Sequence, residues 1–419
     1  MLKARTELQQ YIASNAAIQQ VRAQRQKWPL KGAKPPTRGI VIPSGGAVLV
    51  TNAYIALRVL RDVLNCTLPI ELVYNGAHEI DNVTKAYLED RFRNLDVVDA
   101  ALLPYPAHHR TTKLSRFLFK AYAFYQSSFD QILLLDSDGL PFRDPEYLFE
   151  AKAFRESGNL FVPDFWKSRF PRDAYELFGL PVPEPGANFD YTTESGMVLF
   201  DKQRYPDIAE WIWFLNSYGP DGIYRYMWGD KDTFQLAFSL ADEANSFRQV
   251  LGKPREALSA NRDNRVAYPH VGMVHSDPDG NILLLHRTNR GKFNPSSPGY
   301  LAVDYITMPM CEARSENLQH GPGDGGFGFF EEHVELDTAK NCLFKHGDTF
   351  HTDCNLDVEN PALPVPVVPI AKFGRDVNRV LRVSYVAFEE IKADIAAEKI
   401  LVGACKEYDL IGDRTQCTR

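Results

Sequence analysis

The chain has 419 residues, 44% hydrophobic and 24% charged, with a formal net charge of −7. The length is enough for one large or two modest domains, and the composition excludes bulk disorder. The negative balance argues against a nucleic-acid-binding surface, and no apolar run approaches the ~18 residues that cross a bilayer.

The chain opens with MLKARTELQQYIASNAAIQQVRAQRQKW, which lacks the apolar centre of a signal peptide. Residues 1–37 are expected to form a polar helical stem. The protein is then either cytoplasmic or attached to a membrane through an N-terminal anchor absent from this chain. Gly39 to Pro43 is a short apolar strand ending in Ser44-Gly45-Gly46, a loop where backbone can approach a ligand closely. Residues 47–64 carry helix-period apolar positions, and Ile70 to Tyr74 is a second strand stopped by Asn75-Gly76. Residues 96–103 read as a third strand. Residues 113–129 read as an amphipathic helix, with Leu114, Phe117, Ala121 and Phe124 on one face.

The most informative stretch follows. Ile132 to Leu135 is a buried-strand pattern that ends in Asp136-Ser137-Asp138. Side chains at i and i+2 of a strand point the same way, and two like charges so placed need a compensating cation or hydrogen bonds. A Mg²⁺ or Mn²⁺ bridging a nucleotide diphosphate would supply that; a strand-terminating turn with solvated aspartates explains the tripeptide equally well. Alternating strands and helices indicate an α/β sheet with ligands at the carboxyl ends of its strands, where the three polar loops fall.

Further on, Thr192 to Phe200 is a polar turn, including Glu194, that enters an apolar strand. Trp228-Gly229-Asp230-Lys231-Asp232 opens an amphipathic helix running through Leu240. Acidic residues suit a helix N-terminus on purely structural grounds. Ile282 to Leu285 is another apolar strand, followed by His286 and Arg287, candidates for a metal and a phosphate. The Gly-rich 320–333 segment is expected to be a loop, residues 361–369 an extended polyproline-like linker, and residues 376–397 a helix packing through Val380, Tyr385 and Ile391. Of six cysteines, Cys342 with Cys354 and Cys405 with Cys417 can each close a local loop in an oxidising compartment; unpaired buried thiols are the alternative.

The ordered set RGIVIPSGG (38–46), LPIELVYNG (68–76), SSFDQILLLDSDGLPFRDPEYLFE (127–150), NLFVPDFW (159–166), ESGMVLFDK (194–202), GDKDTFQLAF (229–238) and DPDGNILLLHR (277–287) resembles the fungal-type Golgi α-mannosyltransferases. The resemblance implies a glycosyltransferase A fold, a Rossmann-like mixed sheet flanked by helices, over residues 38–300. Residues 301–419 would form a C-terminal extension packing on it. It implies a retaining enzyme that uses Mn²⁺ (or Mg²⁺) and GDP-mannose, acts on a glycan acceptor and resides in the Golgi lumen.

Carried over residue by residue, the resemblance makes Asp136, Asp138 and His286 the metal ligands. It assigns Pro43, Ser44, Gly45, Asn75, Arg116, Lys120, Asp136 and Ser137 to the donor, with Lys120 presenting a cation to the diphosphate. Trp228, Gly229 and Lys231 fall on the sugar and acceptor side, and Glu194, Asp230 and Asp232 are the catalytic candidates. One departure is Met197, where the family often has Gln. A UDP-sugar transferase of the same fold and a non-catalytic carbohydrate-binding relative are the alternatives. The tripeptide also resembles an aspartyl-phosphate phosphatase motif, which usually lies at a domain's first strand rather than behind several β/α units.

Overall fold

A computed structural model describes residues 2–27, 35–105, 114, 116–164, 172–182, 192–219, 223–227, 229–252, 254–261, 266–288, 291–307, 334–337, 342–344 and 365–400. Two helices come first, α1 (Leu2–Ser14) and α2 (Ala16–Gln24). They are followed by β1 (Arg38–Pro43), α3 (Gly46–Arg58), β2 (Ile70–Tyr74), α4 (Asn82–Arg91), β3 (Leu95–Asp99), α5 (Arg116–Gln126), β4 (Gln131–Leu135) and β5 (Gly139–Pro141). Next are α6 (Lys152–Ser157), β6 (Asn159–Pro163), α7 (Arg172–Leu177), β7 (Thr193–Asp201), α8 (Pro206–Ser217) and α9 (Lys231–Leu240). The remainder is β8 (Arg255–Ala260), β9 (Val266–Ser276), β10 (Ile282–Arg287), β11 (Tyr305–Thr307), β12 (Val334–Asp337), β13 (Cys342–Phe344), β14 (Val365–Pro369) and α10 (Arg375–Ala396).

The first sheet has the order β3-β2-β1-β4-β7-β6. Strands β3, β2, β1 and β4 are parallel, and β7 runs antiparallel to both β4 and β6. From Ile132 to Leu135 the β4 run is apolar because both of its faces are covered. Leu133 and Leu135 belong to one buried cluster, with residues of α3 and α10; Ile132 and Leu134 belong to another, with residues of α5, α8 and α9. This mixed sheet, sandwiched between helices, is the glycosyltransferase A architecture expected from the motifs.

The second sheet has the order β12-β13-β14-β11-β8-β9-β10-β5, and β12 also pairs with β9. Its β5 begins directly after Asp138 and pairs antiparallel with β10, setting His286 opposite Gly139. The chain therefore crosses from one sheet to the other within Asp136-Ser137-Asp138.

Several expectations change. The N-terminal segment is helical as expected, and it also packs on the domain: Leu8, Ile12 and Ile18 are buried in its core, and the buried Arg25 pairs with Asp207 and Glu243. Strand β3 stops at Asp99, whose carboxylate accepts from Ala101 N at 2.9 Å and caps a short 3-10 turn over 100–102. Residues 365–369 form β14, hydrogen-bonded to both β11 and β13, in place of a polyproline linker. The C-terminal helix does pack as expected, burying Val380 and Ile391, at roughly 1.5–3 kcal/mol for each such side chain. Cys66 is buried and free. The expected disulfides and the Gly-rich loop lie outside the described residues.

Candidate active site

The site forms where the two sheets meet. Strand β4 extends one step further through a bond from Asp136 N to Gly196 O at 2.9 Å, which fixes the first aspartate against β7. Asp138 is buried, and its backbone carbonyl accepts from Arg287 N at 3.0 Å, tying it to the end of β10. His286 lies between them, with Nε2 at 3.4 Å from Asp138 Oδ1 and 3.8 Å from Asp136 Oδ2, and Nδ1 at 3.5 Å from Glu194 Oε1. Gly196 makes room for the ring: a Cβ there would stand 2.7 Å from His286 Nδ1.

Two lysines divide the carboxylates. Lys120, from α5, holds Asp136 at 2.8 Å, donates to Ser195 Oγ at 2.9 Å and lies 3.7 Å from Asp230. Lys292 binds Asp138 at 2.8 Å. Burial disfavours the charge on Lys120, but Asp136, Asp230 and Glu194 outweigh it and raise its pKa. Burial likewise acts against ionised Asp138, yet Lys292 and His286 hold it well below the usual carboxylate range. His286 rises to about 9 because Asp138 and Glu194 overcome its burial. Burial pushes Glu194 and Asp230 upward.

A second polar group adjoins the first. Lys231 Nζ lies 3.0 Å from Asp164 Oδ2 and 3.4 Å from Asp232 Oδ1. Burial raises Asp232 to about 6 despite Lys231. Asp232 Oδ2, Thr193 Oγ1 and both amide atoms of Gln235 are buried there without a hydrogen-bond partner.

Most of the expected residues thus converge. Asp136, Asp138, His286, Glu194, Asp230 and Lys120 share one network, with Lys231 and Asp232 beside it. Pro43 ends β1, followed by Ser44 and Gly45. Asn75 follows β2 and donates through Nδ2 to Leu114 O at 3.0 Å. Ser137 is buried within the tripeptide. Gly229, with φ +76°, sits against the Phe117 ring. Arg116 opens α5, but its side chain lies outside the described residues, as does Trp228.

Some roles shift. Among the described residues, the set of side chains close enough to hold one ion is Asp136, Glu194 and His286, with ligand atoms within 4.8 Å of one another. Glu194 therefore joins the metal-binding candidates, and Asp138 pairs directly with Lys292 through one oxygen and faces His286 with the other. Two carboxylates and an imidazole, with His286 Nδ1 unpartnered although buried, fit Mn²⁺ well. Lys120 is engaged by carboxylates instead of standing open to a diphosphate. Arg287 is fully buried, donating to Gly291 and Leu301 carbonyls with its guanidinium 4.2 Å from the Phe293 ring, so it does not face a phosphate. Met197 is buried in the core.

Sequence reasoning missed Lys292 and Asp164. Asp164 had a readable signal, because it ends an apolar strand as Asp136 does. Lys292 had none: it lies in the turn after β10 and meets Asp138 only through sheet pairing.

A family profile described as "Mannosyltransferase putative" matches residues 37–186 and 183–277, more than half of the chain. The chain belongs to this family. Among its relatives, the alpha-1,2-mannosyltransferase MNN22 of Candida albicans is 28% identical over 61% of this chain and 49% of its own length. The alpha-1,2-mannosyltransferase MNN5 of Saccharomyces cerevisiae is 26% identical over 48% of this chain and 42% of its own. The chain thus spans about half the length of the curated relatives it matches. Solved structures overlap partially. The glycosyltransferase GlyE of Streptococcus pneumoniae has 16% identity and a TM-score of 0.34, covering 51% of this chain and 45% of that one. Mouse xyloside xylosyltransferase 1 has 17% identity and a TM-score of 0.35, covering 50% and 84%. The fold assignment rests on strand order and family, not on these superpositions.

Proposed function

We propose that the protein is a retaining mannosyltransferase that moves mannose from GDP-mannose to a hydroxyl of a glycan acceptor in the Golgi lumen, forming an α linkage. The observation that carries the reading is the match of the mannosyltransferase family to the part of the chain that builds most of the Asp136–Glu194–His286 cluster. The relatives' names make α-1,2 the first linkage to examine.

When bound, a Mn²⁺ ion would offset the charge developing on the leaving diphosphate. Asp136, Glu194 and His286 are the residues to hold it. Lys292 is placed to pair with phosphate oxygens once Asp138 shares it. In the transfer, the bond from the sugar C1 to the phosphate oxygen breaks, the acceptor oxygen bonds to C1, and the hydroxyl proton passes to a phosphate oxygen. Lys231 holds Asp164 and Asp232 where acceptor hydroxyls can be oriented. Asp230, locked to Lys120, keeps that lysine fixed behind Asp136.

The test is nucleotide release from GDP-mannose, UDP-glucose, UDP-galactose, UDP-GlcNAc and UDP-xylose, each with Mn²⁺ and with EDTA. Turnover of GDP-mannose alone, abolished by EDTA, is the expected result. Turnover of a UDP-sugar instead would overturn the donor. Silence on every donor, with no donor binding, would favour a carbohydrate-binding protein without turnover.

A further inference from the structure

We propose that Glu79 reads the base of the donor nucleotide and selects guanine over uracil. The inference builds on the GDP-mannose reading and names the residue that makes the choice.

Glu79 lies in the turn after β2, where its N–H bonds Gly76 O at 3.0 Å and its Oε2 accepts from Asn75 N at 2.9 Å. The carboxylate rests directly on the loop that follows β1. A Cβ added to Gly45 would stand 2.2 Å from Oε2 and 3.2 Å from Oε1, and Gly45 has φ +156°. A glycine is what lets the acid reach this place. Strands β1 and β2 are parallel neighbours and β1 pairs with β4, so the carboxylate stands at the strand ends where α/β sheets bind nucleotides, on the side of β1 away from Asp136.

Three observations argue against a carboxylate that merely closes its own turn. First, it is half-buried, and it receives one backbone N–H and, among the described residues, no cation. Burial and nearby Asp99 push it up to about 7. A carboxylate with a single donor keeps lone pairs free to accept from a ligand. Second, the neighbouring acid is already occupied: Asp99 Oδ1 accepts from Gly76 N and from Ala101 N, each at 2.9 Å. Third, the adjoining Ser44 hydroxyl is buried and unpartnered, leaving a second polar group beside Gly45 for a nucleotide.

Guanine has a complementary edge. Its N1–H and exocyclic amine lie side by side, and a carboxylate accepts both in a paired, charge-assisted contact. Uracil offers one N3–H between two carbonyl oxygens, which would face the carboxylate unfavourably. Hypoxanthine keeps N1–H and lacks the amine. Sites built for such donors reject analogues that lack them.

The experiment is calorimetric binding of GDP, IDP and UDP to the full chain with Mn²⁺, for wild type, Glu79→Gln and Gly45→Ala, with melting temperatures confirming folding. Wild type should bind GDP roughly tenfold more tightly than IDP and roughly a hundredfold more tightly than UDP. Glu79→Gln should weaken GDP by about tenfold or more and narrow both gaps, leaving UDP within about twofold. Gly45→Ala, which displaces the carboxylate, should do the same. A Glu79→Gln protein that keeps the wild-type GDP-to-UDP ratio overturns the inference. If wild type still turns over GDP-mannose, the donor assignment survives that result; a wild type that prefers UDP overturns both.

Discussion

Asp136 and Asp138 are two residues apart, yet they belong to different halves of the molecule. Asp136 ends the first sheet and is held by Lys120, which is itself gripped by Ser195 and Asp230. Asp138 opens the second sheet and is held by Lys292, from the turn after β10. The Lys120 side is sealed, with the lysine surrounded by carboxylates. The Lys292 side is more open, the lysine side chain being 29% exposed. The difference assigns jobs: a sealed ion pair fixes geometry, and a partly open one has a cation to share with an incoming diphosphate. His286 spans both halves, so it should be the point where breaking one side breaks the other.

The largest effect is therefore expected at His286. His286→Ala should lower Mn²⁺-dependent turnover by roughly a thousandfold or more, since it removes a ligand and the link between Asp136 and Asp138. Retained Mn²⁺ affinity, measured by titration, would dissolve the proposed metal centre. The two lysines then separate. Lys120→Met leaves the buried Asp230 without its cation and should cost about 3–5 kcal/mol of stability, read by denaturant unfolding. Lys292→Met leaves Asp138 facing His286, which is protonated without metal, so it should cost less stability and instead raise KM for the donor. Equal losses of stability in both variants would erase the contrast.

A smaller signal comes from the proton on His286. With its pKa raised to about 9 by Asp138 and Glu194, the metal-free ring is protonated at pH 7.5. Its folded pKa lies above the ordinary value near 6.5, so its stabilising contribution is complete below about pH 6.5 and disappears as pH rises through about 9. A metal can bind only the neutral ring, so Mn²⁺ binding should release close to one proton at pH 7.5. Calorimetry in two buffers of different ionisation enthalpy measures this directly. No buffer dependence would mean that His286 is not a ligand.

The sequence made the Asp136 half legible and left the Asp138 half mostly hidden. Strand β4, its crossover helix and the carboxylates after it are neighbours in the chain, so periodicity and motif order suffice to place them. Lys292 meets Asp138 only because β10 pairs with β5 across more than 140 residues, and no local pattern encodes that pairing. The same reasoning explains Val365–Pro369. Its prolines and valines favour extended backbone in any context, and strands from two other parts of the chain convert that preference into a sheet. Glu194 was legible as a polar residue entering a strand, but its place beside His286 depends on the antiparallel turn of β7 against β4.

The finest distinction concerns what supports Lys292. Arg287 is buried beneath it and donates to the Gly291 carbonyl, one residue before the lysine. Tyr385, from α10, shares an electrostatic contact with Arg287, and its hydroxyl accepts from Val303 N at 2.9 Å. Its ring stacks on Tyr300 with centroids 4.5 Å apart. The C-terminal helix thus braces the turn that carries Lys292, whereas α5, which carries Lys120, packs in the other buried cluster. Tyr385→Phe keeps the stack and removes only the hydroxyl, so it should cost about 1 kcal/mol of stability. It should also raise donor KM about twofold with kcat unchanged, because Lys292 is displaced while the Asp136 side is left intact. A fall in kcat with KM unaltered would place the helix's influence on the Lys120 side instead, and the division between the two halves would have to be redrawn.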